Sequence, residues 1–335
     1  MSAPKQPRQT LKWDAEYEAW FKPFAANLKA PESTSATDLR EHSKVTMTMA
    51  FSQLPARPSI KTTLYKIPSY DGVEIDVTRF ATAEQTAATF PTPLPAVLYL
   101  HGGGMVTSSV SIYAPVLTNL AATSGVQFFG VEYRLAPEYP DPTIIEDCYA
   151  ALLWISTHAS SLGIDSSRLG VMGDSAGGGL AAGTTLLARD RGLDPPVKNQ
   201  ILVYPMLDDR SMAHMIKNPG SSQVEEFSLY PVLNLYVYWE MYLGKENAGA
   251  ETGVSPYAAP GRATDLKGLP STYMDVGGLD LFRDECATFA ARLAAADVEI
   301  EFHLIPGVPH GFDVATEIGA TKRAYEGRIR WIKSL

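Results

Sequence analysis

The chain has 335 residues, 45% of them hydrophobic and 19% charged. That composition fits a soluble globular protein with a sizeable core, and the length, long for one ordinary domain, is still within reach of a single large one. The net charge of −9 argues against nucleic-acid binding, which needs a basic face, and no apolar run reaches the roughly 18 residues of a membrane span.

The first segment, Leu11–Leu28, carries Trp13, Tyr17, Trp20, Phe24 and Leu28 near helical spacing, which predicts an amphipathic helix. Its polar face holds Asp14, Glu16 and Glu18 rather than the basic residues of a membrane anchor. The helix is therefore expected to pack over the functional site. Next come two strand candidates, Thr62–Ile67 and Val73–Phe80, with Asp71-Gly72 between them as a hairpin signal. Further strands are predicted at Ala96–Leu100, Gln127–Glu132, Arg168–Met172, Gln200–Tyr204, Thr272–Val276 and Glu299–Ile305. Helices are predicted at Ile145–His158, Ala176–Asp190, Asp284–Ala296 and Glu317–Lys333. The alternation predicts an α/β fold: a mostly parallel sheet covered by helices on both faces, with an antiparallel start. One stretch, His214–Gly253, interrupts it and is rich in aromatic residues from Phe227 to Tyr242. Cys148 and Cys286 fall on predicted helices and read as buried thiols.

Gly173-Asp174-Ser175-Ala176-Gly177 reads G-x-S-x-G between a predicted strand and a predicted helix. That context holds a serine on a sharp turn with its hydroxyl exposed above the sheet, suited to attack on an acyl carbon. The pattern alone arises by chance on the order of once in seven chains of this composition. His101-Gly102-Gly103-Gly104 follows a buried strand and is far rarer by chance. Its free N–H groups suit the negative charge that develops on a carbonyl oxygen. In this arrangement the acid and then the base follow the serine along the chain. Of the histidines after Ser175, His214 lies in a polar stretch with no strand end to place it, and His303 lies inside a strand. His310 sits in a loop of two prolines and two glycines after the last strand, and is the expected base. Asp280 follows the preceding strand and is the expected acid, with Asp284 as the alternative.

These motifs resemble the hormone-sensitive-lipase-like esterases, the GDXG lipolytic family of α/β-hydrolases. The resemblance runs over roughly residues 95–333. It includes Tyr133-Arg134-Leu135-Ala136-Pro137-Glu138, Tyr204-Pro205-Met206-Leu207-Asp208, Asp280 through Glu285 and His310-Gly311-Phe312. It implies an eight-stranded α/β-hydrolase fold with a helical cap. The cap would be built from residues 1–60 and an insertion at about 211–253, over a catalytic domain 61–335. It implies Ser175 as nucleophile, Asp280 as acid and His310 as base. Gly103, Gly104 and Ala176 would be the oxyanion donors, with Gly102 supporting the loop and His101 anchoring it. Two positions depart from the family. Met105 stands where an aromatic residue is frequent, which bears on the wall of the acyl pocket, and Leu281 stands where proline is frequent. The expected activity is serine-dependent hydrolysis of uncharged short- to medium-chain carboxylic esters. No metal or organic cofactor is expected, and the expected partner is a small-molecule ester. Cleavage of a lactone, amide or thioester, acyl transfer, and ligand binding without turnover are the alternatives. Met1–Arg8 lacks an apolar signal core, so a cytoplasmic location is expected. Glu299–Ile305 is a candidate sheet edge for pairing in a homodimer.

Overall fold

The computed structural model describes residues 10–25, 29–87 and 92–335. The first helix, α1 (Ala15–Phe21), starts at Asp14, whose carboxylate accepts the amides of Glu16 and Tyr17, both at 3.0 Å. It starts four residues later than the helix expected over Leu11–Leu28. Pro23 has no N–H to continue the ladder, and the chain tightens into a 3₁₀ turn at Lys22–Phe24. Leu28 lies outside the described residues. The next helix, α2 (Ala36–Phe51), has no counterpart among the predicted ones and is capped by the Ser35 hydroxyl on the Asp38 amide.

Among the described residues there are eight strands: β1 (Ile60–Pro68), β2 (Glu74–Thr82), β3 (Leu94–Leu100), β4 (Gln127–Glu132), β5 (Ile164–Asp174), β6 (Asn199–Val203), β7 (Ser271–Gly277) and β8 (Ile300–Ile305). They form one sheet in the order β1-β2-β4-β3-β5-β6-β7-β8. The predicted hairpin joins β1 to β2, which pair antiparallel, as do β2 and β4; the remaining pairs are parallel. Val97, Leu98, Val171, Ile201 and Leu202 on the central strands are buried, as fits strands covered on both faces. β8 is an edge. Leu304 is 47% exposed there, so the apolar side of its alternation is only partly covered.

The connections explain where the site lies. α3 (Val110–Ser124), another helix absent from the sequence reading, carries the chain from β3 to β4. α4 (Thr143–Thr157) then brings it back past β3 to β5. Right-handed crossovers running in opposite directions place these helices on opposite faces. α5 (Ala176–Asp190) packs beside α4. α6 (Asp209–Lys217) and α7 (Val232–Leu243) form the excursion between β6 and β7. α8 (Arg283–Ala295) leads to β8, and α9 (Gly319–Lys333) returns to pack on α3. The direction of winding reverses between β3 and β5. That is where an open α/β sheet leaves a crevice beyond its carboxyl ends. The loop His101–Gly104 and the turn at Ser175 flank this crevice. Among the described residues, no helix is long and apolar enough to cross a membrane.

Candidate active site

Ser175 sits between the last residue of β5 and the first of α5, with φ 55° and ψ −123°. A non-glycine residue holds such a conformation only when its surroundings enforce it. Its amide donates to the Val203 carbonyl at 2.9 Å, and its carbonyl accepts the Met206 amide at 2.9 Å and the Gly179 amide at 3.1 Å. The flanking glycines make room for the turn. A Cβ on Gly173 would collide with the Gly177 carbonyl, and one on Gly177 with the Leu100 carbonyl. The serine is thus pushed up where two backbone segments meet.

His310 Nε2 lies 2.9 Å from Ser175 Oγ, and its Nδ1 lies 2.8 Å from Asp280 Oδ2. The other oxygen of Asp280 accepts the Phe282 amide at 2.8 Å. The loops that carry the two residues are joined through their backbones. The Gly278 amide donates to Ile305 at 2.6 Å, and the Leu279 amide to Val308 at 3.0 Å. The imidazole is edged by the rings of Tyr204, Phe282 and Tyr230, with centroids at 4.7, 4.9 and 6.0 Å. Burial lowers its pKa. The charge and hydrogen bond of Asp280, with the more distant Asp174 and Asp313, outweigh burial and hold it above 6.5. Asp284, the alternative acid, is exposed and paired with Arg283 at 2.7 Å. His303 is paired with Glu301 at the sheet edge, and His214 lies on α6 near Asn218. The structure therefore brings together Ser175, His310 and Asp280, and leaves the other candidates elsewhere.

Gly103, Gly104 and Met105 have φ of 118°, 63° and 60°. Among the described residues, no acceptor takes the amide protons of Gly103 or Gly104. The Gly102 amide does have an acceptor, Asp174 Oδ1 at 3.1 Å. Asp174 also receives the hydroxyls of Tyr99 and Tyr113 at 2.8 and 2.7 Å. Burial raises its pKa to about 6, against those hydrogen bonds. Asp174 carries no role on sequence grounds alone; its place between Gly173 and Ser175 is the available signal. His101 is buried, stacks on Tyr133 at 4.3 Å and has its pKa lowered by burial to about 4, so it stays neutral. Arg328, also not singled out, is buried between Asp275 (2.7 Å) and Asp313 (2.5 Å), and Asp313 accepts the Tyr204 hydroxyl at 2.9 Å.

A cavity of about 570 Å³ opens over Ser175, His310, Gly103 and Gly104. Leu39 and Met47 of α2 line it from one side, and Leu235 and Tyr238 of α7 from another. α1, expected over the site, instead backs the His310 loop, where the Asp14 amide donates to the Gly307 carbonyl at 2.7 Å. Met105 is buried away from the cavity, and the Tyr238 ring lies against Gly104 in its place.

A family model of the α/β-hydrolase fold matches residues 97–314, and the chain belongs to that family, in the hormone-sensitive-lipase-like group its motifs resemble. The chain is 36% identical over 220 residues to a carboxylesterase NlhH of Mycobacterium tuberculosis, covering 65% of this chain and 66% of that one. The chain thus spans about two thirds of the length of that relative. It is 33% identical over 243 residues to an ethyl acetate hydrolase of Pseudomonas putida, covering 72% of each. Among solved structures, a bacterial heroin esterase superposes with a TM-score of 0.84 at 34% identity, over 96% of this chain and 98% of that one. Fold and family place the protein among the α/β-hydrolases, and these relatives and the solved neighbour are named as ester-hydrolysing enzymes.

Proposed function

We propose that the protein is a serine carboxylic-ester hydrolase with Ser175, His310 and Asp280 as its triad. The carrying observation is the unbroken line from Ser175 Oγ to His310 Nε2 (2.9 Å) and from His310 Nδ1 to Asp280 (2.8 Å). His310 takes the hydroxyl proton as Ser175 Oγ attacks the ester carbonyl, and Asp280 holds the imidazole with Nδ1 protonated and stabilises its cation. The amides of Gly103, Gly104 and Ala176 receive the oxyanion. His310 then protonates the leaving alcohol, the acyl-enzyme forms, and water activated by the same imidazole releases the acid. Residues of α2 and α7 act as the cap, excluding water from an apolar pocket.

The substrate class is an uncharged ester with a short to medium acyl chain. A cavity of about 570 Å³ is in the range of small-molecule sites, typically about 300–1,000 Å³. The names of the ethyl acetate hydrolase and the heroin esterase point to small esters. The test is hydrolysis of p-nitrophenyl esters from acetyl to palmitoyl, with Ser175→Ala beside the wild type. Turnover that peaks at short chains and vanishes in the variant supports the reading. Equal turnover in the variant, or a peak at palmitoyl, overturns it.

A further inference from the structure

The segment Gly103–Ser108 carries four residues with positive φ: 118° at Gly103, 63° at Gly104, 60° at Met105 and 78° at Ser108. Two of the four are not glycine, so the segment does not hold this shape by intrinsic preference. Part of the support is internal. The amides of Val106 and Thr107 donate to the Gly103 carbonyl at 3.1 and 2.8 Å, and the Thr107 hydroxyl lies 3.0 Å from the same oxygen. The rest comes from outside, and much of it traces to one side chain on α2.

Arg40 donates from Nε to the Val106 carbonyl at 2.9 Å and from Nη2 to the Ala136 carbonyl at 2.9 Å. The Ala136 amide in turn donates to the Met105 carbonyl at 2.9 Å. One planar guanidinium thus fixes the carbonyl of Val106 directly and that of Met105 through a single intermediary. Glu138 holds the plane in place, accepting from Nη1 at 2.9 Å and Nη2 at 2.5 Å. A second tie runs from the same helix, since Ser43 Oγ lies 3.1 Å from Thr107 Oγ1. Arg40 is 66 residues from Val106 in the chain and is not among the residues lining the cavity, so substrate does not touch it.

We propose that Arg40 is a positioning residue for oxyanion stabilisation. It holds the loop after β3 in the shape that aims the Gly103 and Gly104 amides, while the Ser43 tie keeps α2 and its share of the cavity wall in place. The inference rests on the reading of Gly103 and Gly104 as oxyanion donors. Its chemical consequence is specific. The ground-state ester needs the cavity walls, whereas the tetrahedral intermediate needs the two amides. Loss of Arg40 therefore lowers kcat and spares KM. Lysine keeps the charge that faces Glu138 but not the planar fork that reaches two carbonyls, so it does not substitute.

The experiment compares wild type, Arg40→Ala, Arg40→Lys and Lys44→Ala, the last removing an exposed charge from the same helix. Each is assayed with p-nitrophenyl butyrate. Each is also titrated with an alkyl trifluoromethyl ketone, which adds to the serine as an oxyanion, and with the corresponding unreactive secondary alcohol. Removing one oxyanion donor costs about 10²–10³ in turnover, and displacing two without removing them is expected to cost about 10- to 100-fold. Both Arg40 variants should lose that factor in kcat, keep KM within about twofold and bind the ketone more weakly by the same factor. Binding of the alcohol should be unchanged, and Lys44→Ala should match wild type. A melting curve checks that each variant is folded, and Arg40→Lys supplies the comparison where the alanine variant is not. Unchanged kcat and ketone affinity in a folded Arg40→Lys overturns the proposal, as does a rise in KM with kcat preserved. A wild type that binds ketone and alcohol equally would instead remove the underlying oxyanion reading.

Discussion

Asp280→Asn tests the proposed triad with the least disturbance of the fold, because the two side chains share a shape. In the native site one carboxylate oxygen accepts the Phe282 amide at 2.8 Å and the other faces His310 Nδ1 at 2.8 Å. Asparagine has one acceptor oxygen for these two positions. With that oxygen toward the Phe282 amide, its NH₂ points at Nδ1. The imidazole must then carry its proton on Nε2, facing Ser175, and cannot accept the serine proton. The flipped amide sets NH₂ against the Phe282 N–H and leaves a buried donor unpaired, at about 1–3 kcal/mol. The first arrangement is favoured, and the wrong tautomer costs about 10⁴ in kcat, or about 5.4 kcal/mol of barrier. The substitution also removes the charge that keeps the His310 pKa above 6.5. In wild type the imidazole must be neutral to act, so the acid limb of kcat/KM falls above pH 6.5. In the variant burial is opposed only by the more distant Asp174 and Asp313, and the limb of the residual activity moves to lower pH. The assay is the pH dependence of kcat/KM on a p-nitrophenyl ester for both proteins, with a thermal melt of each. A variant within about tenfold of wild type, or a large loss with an unmoved acid limb, would refute the assigned role of Asp280.

Ser175→Gly should abolish turnover and stabilise the protein, since the conformation at φ 55° costs a non-glycine residue about 1–3 kcal/mol. Urea unfolding should give a midpoint above that of both wild type and Ser175→Ala; a lower midpoint than Ser175→Ala would show that the turn stores no strain. Asp174 has a folded pKa of about 6 against 3.8 for the free side chain. Its contribution is fully present below about pH 3.8 and is lost as pH rises through 6, a change of about 3 kcal/mol by linkage. Asp174→Asn removes that titration. The difference in unfolding free energy between wild type and variant should therefore shift in the variant's favour across this window; a difference independent of pH would contradict it.

Features that depend on neighbours in the chain were legible without a structure. The turn around Ser175 needs room at positions 173 and 177, where a Cβ would meet the Gly177 and Leu100 carbonyls, and the glycines that leave that room stand in the sequence. The central strands read as apolar runs because both faces are covered, and Asp71-Gly72 marked the hairpin. The positions of Asp280 and His310 followed from chain order once the strands were placed. By contrast, α2 and α3 left weak marks. Between Leu39 and Met47, α2 presents His42, Ser43 and Thr46, because its inner face borders a cavity rather than a dry core, so the apolar repeat that announces a helix is missing. Spacing of aromatic residues carries the first helix back to Leu11, whereas the Asp14 cap sets its start at Ala15.

The sequence by itself determined which residues could carry the chemistry, since residue type, spacing and chain order are present in it, and glycines, prolines and apolar runs mark turns and strands within a few residues. The tertiary structure decided how those residues are held. It placed Tyr238 against Gly104 and turned Met105 away, set Asp174 under the Gly102 amide and brought Arg40 to the Val106 carbonyl. Each of these contacts joins segments far apart in the chain. Hydrogen-bond reach is about 3 Å, and no local pattern specifies which distant groups will meet at that distance until the sheet order and the packing of the helices are settled.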